Sequence, residues 1–581
     1  MGIQFSNLNR INSGSAETRK LRVYAFDPTV PRRRGNDLIV QVPFEPLLPG
    51  PWGAKLHVID YDATNDRYYQ PIDLEETLCL INSGVGASEA DPRFHQQMVY
   101  AVASQTIRHF EFALGRDVKW GYRTHEPLTL YPHARYEANA YYSRELKGII
   151  FGYFRDAGAE EGQPVFTCLS HDIIAHEMAH ALVDGQRSHF MVPTGFDTAA
   201  FHEAFADVVA LFQHFSCKGA VLDAVQRTAG RLQILDTEPL RKRIAGEPEL
   251  VEDEDVQNPM VELAKQFGYA MGQRSALRSA LGTAPDPKDL EGNFEPHSRG
   301  SILVAAIFDA FFSLYLARTR DLMRIARASG ASLEPGALHP DLANRLAEDA
   351  ARLAGQFMNL CIRALDYCPP VDITFGDYLR ALITADHDLV PDDDLGYRET
   401  LLAAFRRRGI RPDGVRTHSE DDVLWEPFEP KKKSGGAGPP PPINLRFDLM
   451  NPNPLWEKAN AKALVAFAKA NAAALKLVPG TPTAAHTFHP VHRIGPDGQL
   501  AIGVAAELIQ DNGKALGGST VLFNGDGTIR YVVHRSVSDK SMEQRSDDFR
   551  MHLSLNESGL VATKSRDHRA HLDFALVHRG V

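Results

Sequence analysis

The chain has 581 residues, of which 24% are charged and 44% hydrophobic, the balance of a folded globular protein long enough for about three or four domains. Its net charge of −11 leaves no basic footprint for nucleic acid. No apolar run reaches the length of about 18 residues that a membrane span needs, so none is expected.

From the N-terminus, Met1 to Arg10 lacks the charged and apolar regions of a signal peptide, although Met-Gly-x-x-x-Ser fits a loose myristoylation pattern. The five cysteines, at positions 79, 168, 217, 361 and 368, are few, odd in number and scattered, which suits free thiols in a reducing compartment. A cytoplasmic location is the expectation, with leaderless export as the alternative. Residues 20–80 alternate short β-rich runs (21–26, 38–42, 55–60) with Pro/Gly turns and read as strands. Residues 91–115 read as an amphipathic helix with Phe94, Met98, Val102, Ile107, Phe110 and Phe112 among its apolar positions. Strands follow to about residue 154, including 137–142 and 148–153.

Residues 172–184 read Asp-Ile-Ile-Ala-His-Glu-Met-Ala-His-Ala-Leu-Val-Asp, a His-Glu-x-x-His pattern inside a continuous helix. Positions i and i+4 share a helix face with their Cβ atoms about 6 Å apart, so His176 and His180 can bind one zinc ion. Glu177 is close enough to face water at that metal without ligating it. The bland alternative is a helix with two histidines and a glutamate. The apolar flanks Ile173, Ile174, Met178, Leu182 and Val183 argue against it, because buried polar side chains need partners.

A catalytic zinc keeps three protein ligands and one open position. The next helical segment, 199–213, has an apolar stripe of Phe201, Phe205, Val208 and Phe212, and carries Glu203 and Asp207 one turn apart. That face can present one carboxylate to the metal and the other to a ligand histidine, whose second N–H such a carboxylate usually accepts. From 259 to 410 the pattern is mainly helical: 261–271, 300–319, 340–366, 375–385 and 397–408. Pro296-His297-Ser298-Arg299-Gly300-Ser301-Ile302 opens the long apolar helix 302–317.

Residues 426–442, rich in Lys, Gly and Pro, read as a linker. Beyond it, 443–581 opens with a helix over 456–477. Strand-like runs follow at 500–504 and 520–534, the second containing the hairpin signal Asn524-Gly525-Asp526-Gly527. His486, His489 and His492 lie three apart in a Pro-containing stretch, read as a solvated loop with a metal site as the alternative. The role of this region is not legible, and it is a candidate contact for a partner or regulator.

The pairing of Asp-x-x-Ala-His-Glu-x-x-His-Ala-x-x-Asp with a downstream Glu-Ala-x-x-x-Asp resembles the thermolysin-like zinc metallopeptidases, the Glu-zincin group, over roughly residues 90–410. The resemblance implies an α+β, two-lobed fold: a β-rich N-terminal lobe (1–155) and a mainly helical zinc-binding lobe (156–415), with the zinc helix between them; the linker sets off 443–581 as a separate small α+β domain that the resemblance does not cover. By position it implies His176, His180 and Glu203 as ligands of one zinc, Glu177 as general base and Asp207 as the carboxylate on His176. Asn139 and Ala140 match residues that bind peptide main chain on an edge strand, where recognition is by β-augmentation. His297 takes the place of the histidine that stabilises the oxyanion, with Glu291 or Glu295 to orient it. The expected activity is endopeptidase cleavage of a protein or peptide substrate held as an extended strand along 137–142.

The chain also departs from the family pattern. The separation from His180 to Glu203 is a little longer than in thermolysin itself, and the loop 185–198 absorbs it. That loop lacks the tyrosine that serves as auxiliary oxyanion donor, with His189 as the nearest substitute. The acidic cluster that builds calcium sites after the Glu helix is absent. Asp172 and Asp184 alone do not make a cage of 6–8 oxygens, so structural calcium is not expected. Two rivals stand beside the endopeptidase. One is an aminopeptidase on a related frame, which the lack of a Gly-x-Met-Glu-Asn motif disfavours. The other is a zinc-binding scaffold without hydrolysis that recruits a partner through 443–581.

Overall fold

Alternation carries the first hairpin. Along Thr18–Tyr24 and Asp37–Pro43 the residues Leu21, Val23, Val40 and Val42 are buried, and the strands pair antiparallel with Leu21 opposite Val40. This hairpin lies on the helix Pro92–Leu114. Asp91 caps that helix by accepting from the Arg93 amide, Pro92 takes its first turn, and Gly115 ends it at φ 66°, the left-handed backbone that favours glycine. The structure is a computed structural model with mixed α+β architecture. It describes residues 3–6, 18–25, 36–155, 164–227, 285–332, 336–429, 440–448, 453–494, 500–538, 540–556, 561–564 and 570–578. The expected helix 261–271 and the middle of the expected linker, 430–439, lie outside the described residues.

On the other side of Pro92–Leu114 is a mixed sheet in the order Pro164–Phe166, Gly148–Arg155, Leu128–Tyr136, Leu56–Val58. A short strand, Ala140–Ser143, pairs antiparallel with Gly148–Arg155. Its outer edge faces a helical turn from the far end of the chain, Phe574–Val577.

Two helices form the centre. His171–Gln186 starts where the Ser170 side chain accepts from the Ile173 amide, and Phe196–Ser216 is buried continuously from Thr198 to Phe215. A helix buried on all sides belongs inside a protein. Pro296–Ala328 crosses Phe196–Ser216 at Gly300, where a Cβ would stand 2.9 Å from the Ala200 carbonyl oxygen and 3.2 Å from the Ala204 amide. By length and composition this third helix is apolar enough to cross a membrane, but 78% of its most apolar window is buried within the protein. Pro340–Ala364, Phe375–Leu389 and Tyr397–Arg407 complete the helical layer. The Pro296–Ala328 helix starts before the expected 300 because Glu295 caps it, accepting from the His297 and Ser298 amides, and it runs on past the expected 319.

Residues 443–581 build the helix Pro454–Ala470 and an antiparallel meander of Thr483–Ile494, Leu500–Asp511, Leu516–Asn524 and Ile529–Arg535. The expected turn at 524–527 joins the last two strands, with Gly527 at φ 86°. Period two splits the sheet. Val504, Ala506, Leu508, Val521 and Phe523 pack with Leu464 and Phe467 of the helix, whereas Val491, Ala505, Leu522 and Tyr531 join the main core. One face of this sheet is therefore buried on the rest of the protein. Gln4–Ser6 pairs parallel with Arg446–Asp448.

Polar contacts seal the joint. Arg187 and Glu507 form an ion pair with side chains only 2% and 3% exposed. Arg116 donates to both oxygens of Asp366, at 2.8 and 2.9 Å, and His489 reaches the same carboxylate at 3.0 Å. The three histidines read as a loop or metal site stand on the strand Thr483–Ile494 with different partners. His486 meets Ser188 Oγ at 2.6 Å, His489 meets Asp366, and His492 meets the Gly115 carbonyl at 2.5 Å.

Candidate metal centre

The helix His171–Gln186 stacks its two motif histidines one turn apart, with their Nε2 atoms 3.0 Å from each other. Oε2 of Glu203, from the neighbouring helix, lies 3.5 Å from Nε2 of His176 and 3.7 Å from Nε2 of His180. Donor atoms about 2.0–2.1 Å from a tetrahedral zinc stand roughly 3.3–3.4 Å apart. The three atoms therefore have the spacing of a metal site. Asp207 Oδ1 lies 2.9 Å from His176 Nδ1. With the Nδ1 proton donated there, the Nε2 lone pair of His176 points at the cluster. His180 Nδ1 faces His202 Nδ1 at 3.4 Å. Burial lowers His202 to about 4, which keeps it neutral and able to accept. Two lone pairs then face one carboxylate oxygen that is buried without a hydrogen-bond partner. Such a set could hold a metal ion, and two imidazoles with one carboxylate are donors that zinc accepts.

The electrostatics agree. Burial alone would lower His176 and His297, but the carboxylates of Asp207, Glu203 and Glu295 outweigh it and raise both to about 10. Glu203 is driven up by burial, yet the charge of His297 and His180 holds it well below the usual carboxylate range. A field that favours imidazolium favours a divalent cation in the same place. Glu177 is pushed up by burial. One of its oxygens, Oε2, accepts from the Tyr142 amide at 2.9 Å, which ties the motif helix to the strand Ala140–Ser143. The same strand is fixed a second time where Tyr142 Oη donates to Asp184 at 2.7 Å and Arg144 Nε donates to it at 2.8 Å.

His297 comes to the centre from the first turn of Pro296–Ala328. Its Nε2 is 3.2 Å from Glu203 Oε2, and its Nδ1 is 2.8 Å from Glu295 Oε1. Glu295, rather than Glu291, orients the ring, and the same carboxylate caps the helix. Asn139 and Ala140 lie at the edge strand, and both contact the chain itself. Asn139 Nδ2 donates to the Ala575 carbonyl at 3.2 Å, and His578 Nδ1 donates to the Ala140 carbonyl at 2.9 Å. His189 is placed elsewhere: its ring packs on His486, centroids 4.0 Å apart, and burial takes it down to about 3.

Sequence reasoning brought together His176, Glu177, His180, Glu203, Asp207 and His297, and missed His202, Glu295 as sole orienter, Phe574 and His578. His202 carried a weak signal, being adjacent to Glu203. His578 carried none, because nothing local links it to a helix so far away in the chain. Among the described residues, two other groups of buried ligand-type side chains stand apart from this centre. In one, His95 Nδ1 meets His133 Nε2 at 2.7 Å and His133 Nδ1 meets Asp60 at 2.7 Å, beside Cys168. In the other, His214 Nδ1 meets Asp172 at 2.8 Å, beside His171. Asp172 and Asp184, the two acids weighed for calcium, are thus engaged by His214 and by Arg144 with Tyr142. No protein-family profile matches the chain, and no curated protein matches it in sequence.

Proposed function

We propose that this chain is a zinc-dependent endopeptidase built on the two-lobed, thermolysin-like plan. One observation carries the reading: His176 Nε2, His180 Nε2 and Glu203 Oε2 converge at 3.0–3.7 Å, with no hydrogen-bond partner for the carboxylate oxygen. These three side chains would hold one zinc ion, which when bound supplies Lewis-acid polarisation of a peptide carbonyl and of water.

The remaining work falls to the chain's own residues. Glu177 takes the proton of the attacking water and returns it to the leaving amine, a task that suits a carboxylate raised by burial. The Tyr142 amide occupies Oε2 of Glu177, so the proton travels on Oε1. His297, aligned by Glu295, presents Nε2 as the donor for the oxyanion. A protein or peptide substrate lies extended along the edge strand, its main chain meeting Asn139 Nδ2 and the Ala140 carbonyl. Asp207 keeps His176 in the tautomer that ligates.

Zinc analysis combined with cleavage of a peptide library tests the reading. One zinc per chain is expected in the wild type and in Glu177→Gln, with cleavage lost in the variant. Cleavage by the variant at the wild-type rate, or no zinc in either protein, refutes it. Cutting confined to peptides with a free N-terminus favours the aminopeptidase instead.

A further inference from the structure

Residues 570–578 run into the centre. Ala570–Leu572 pairs with Val561–Lys564, and Asp573 then caps the helical turn Phe574–Val577 by accepting from the Ala575 amide at 3.0 Å. Phe574 is 1% exposed and lies flat on the His180 ring, with centroids 4.0 Å apart and planes at 21°. Asn139 holds the Ala575 carbonyl, and the next residue beyond the turn is His578. Its Nδ1 proton goes to the Ala140 carbonyl, which turns Nε2 inward. That nitrogen is buried without a hydrogen-bond partner, 3.5 Å from Glu203 Oε2. Together with His176, His180 and Glu203 it makes a four-donor group with every ligand atom within 4.8 Å of the others.

We infer that His578 is a fourth metal ligand and that the segment 570–578 is a built-in inhibitor, which closes the centre until it is withdrawn. The inference rests on the zinc-peptidase reading above. Catalytic zinc sites keep three protein ligands and an open position, whereas sites with four protein ligands are closed. His578 Nε2 stands at the same range from Glu203 Oε2 as the two motif histidines do, 3.5 Å against 3.5 and 3.7 Å. Its second ring nitrogen is satisfied by an oxygen acceptor, as His176 is by Asp207 and as ligating histidines generally are. His578 Nδ1 is also 3.4 Å from Glu177 Oε1, so the ring covers the base as well as the metal position.

The segment blocks the site without lying as a substrate would. An extended substrate offers its backbone donors to the edge strand. Here the Leu576 and Val577 amides both donate to the Asp573 carbonyl at 2.9 Å, so the turn spends those donors on itself. It sits on Asn139 and Ala140 with peptide bonds that are not drawn out along the strand. The region that precedes it is also tied to the core. Arg545 pairs with Asp372, Arg535 with Asp377, and Arg187 with Glu507. Access to the centre therefore requires the segment to leave.

The test uses the full chain as wild type, His578→Ala and Phe574→Ala, the last loosening the segment while keeping the ligand. Each is loaded with zinc for metal analysis and peptide cleavage, and with cobalt for absorption spectra during titration with acetohydroxamate. One metal per chain is expected in all three. The wild-type cobalt spectrum should differ from that of His578→Ala before any additive, and acetohydroxamate should shift the variants at concentrations that leave the wild type unchanged. Cleavage should rise at least about tenfold in His578→Ala, because an open fraction below about one in ten weakens apparent binding by that factor. Identical spectra and identical acetohydroxamate responses in wild type and His578→Ala overturn the inference while leaving a zinc peptidase standing. A spectral change at His578→Ala without cleavage by any form supports the fourth ligand and sinks the peptidase reading. Absence of metal from the wild type overturns both.

Discussion

Asp207 Oδ1 lies 2.9 Å from Nδ1 of His176, the nitrogen on the far side of the ring from Glu203. A carboxylate in that place fixes the tautomer and strengthens the ligand, and its loss typically lowers metal affinity about 10–100-fold. Asp207→Asn should do so with the fold intact, measured by competition for zinc against a chromophoric chelator. Unchanged affinity would mean that His176 does not face the metal through Nε2.

Gly300 sets how closely His297 and Glu203 approach. A methyl group there meets the Ala200 carbonyl oxygen at 2.9 Å and the Ala204 amide at 3.2 Å, both backbone atoms one residue or one turn from Glu203. Overpacking of this kind costs about 1–3 kcal/mol. Gly300→Ala should lower the melting temperature and weaken zinc binding together, while Gly355→Ala, a helix-interior site with open space around it, should leave zinc binding unchanged and raise the melting temperature slightly.

His297 and Glu295 separate by role. Removing a donor aimed at an oxyanion typically costs about 2.7–4 kcal/mol of barrier, or about 10²–10³ in rate. In the His578→Ala background, His297→Gln should lose that much in kcat while keeping zinc. Glu295→Gln should lose less and should also destabilise the helix start, since one carboxylate both caps the helix and holds the ring. Equal kcat values for His297→Gln and its parent would remove His297 from the chemistry.

The Arg187–Glu507 pair joins the sheet of residues 483–535 to the helical core. Breaking a buried pair by removing one partner costs about 3–5 kcal/mol, because the other charge is left uncompensated. Glu507→Gln should therefore lower the denaturation midpoint sharply. A double replacement, Arg187→Met with Glu507→Leu, should recover most of the loss. A Glu507→Gln midpoint equal to that of the wild type would mean that solvent reaches Arg187.

Acid should loosen the same joint. Burial, with the charge of Arg116 adding to it, lowers His489 to about 4, against about 6.5 for an unfolded histidine. Between those values the unfolded chain binds a proton that the folded one refuses. Stability therefore falls as pH drops from about 6.5 to about 4, by up to about 1.4 kcal/mol per pH unit for this group. Asp366 acts lower still. Burial pushes it up, but Arg116 and His489 hold it well below the usual range, so its contribution is present above about pH 4 and lost as pH falls further. Melting curves between pH 7 and 4.5 should show the decline, and His489→Gln should flatten it.

The parts of the fold visible in the sequence are those with local causes. Spacing of i and i+4 put His176 with His180 and Glu203 with Asp207. The strand Thr483–Ile494 was hidden because Pro490 and three histidines interrupt its alternation. It is an edge strand, where a missing N–H costs little. Leu500–Asp511 and Leu516–Asn524 run longer than read because both faces are buried, which erases the period-two signal. At the centre, His578 and Phe574 arrive by tertiary contact alone, and no residue near them in sequence announces it.

The order of these pieces along the chain also sets an order in time. A chain built from its N-terminus outward makes the helices bearing His176, His180, Glu203 and His297 first, and the helical layer is complete at Arg407. Roughly 170 residues then separate Arg407 from His578, and at about 5–20 residues per second the ribosome takes roughly 9–34 seconds to add them. On the inference drawn above, a nascent molecule would hold His176, His180 and Glu203 through that interval before His578 is made.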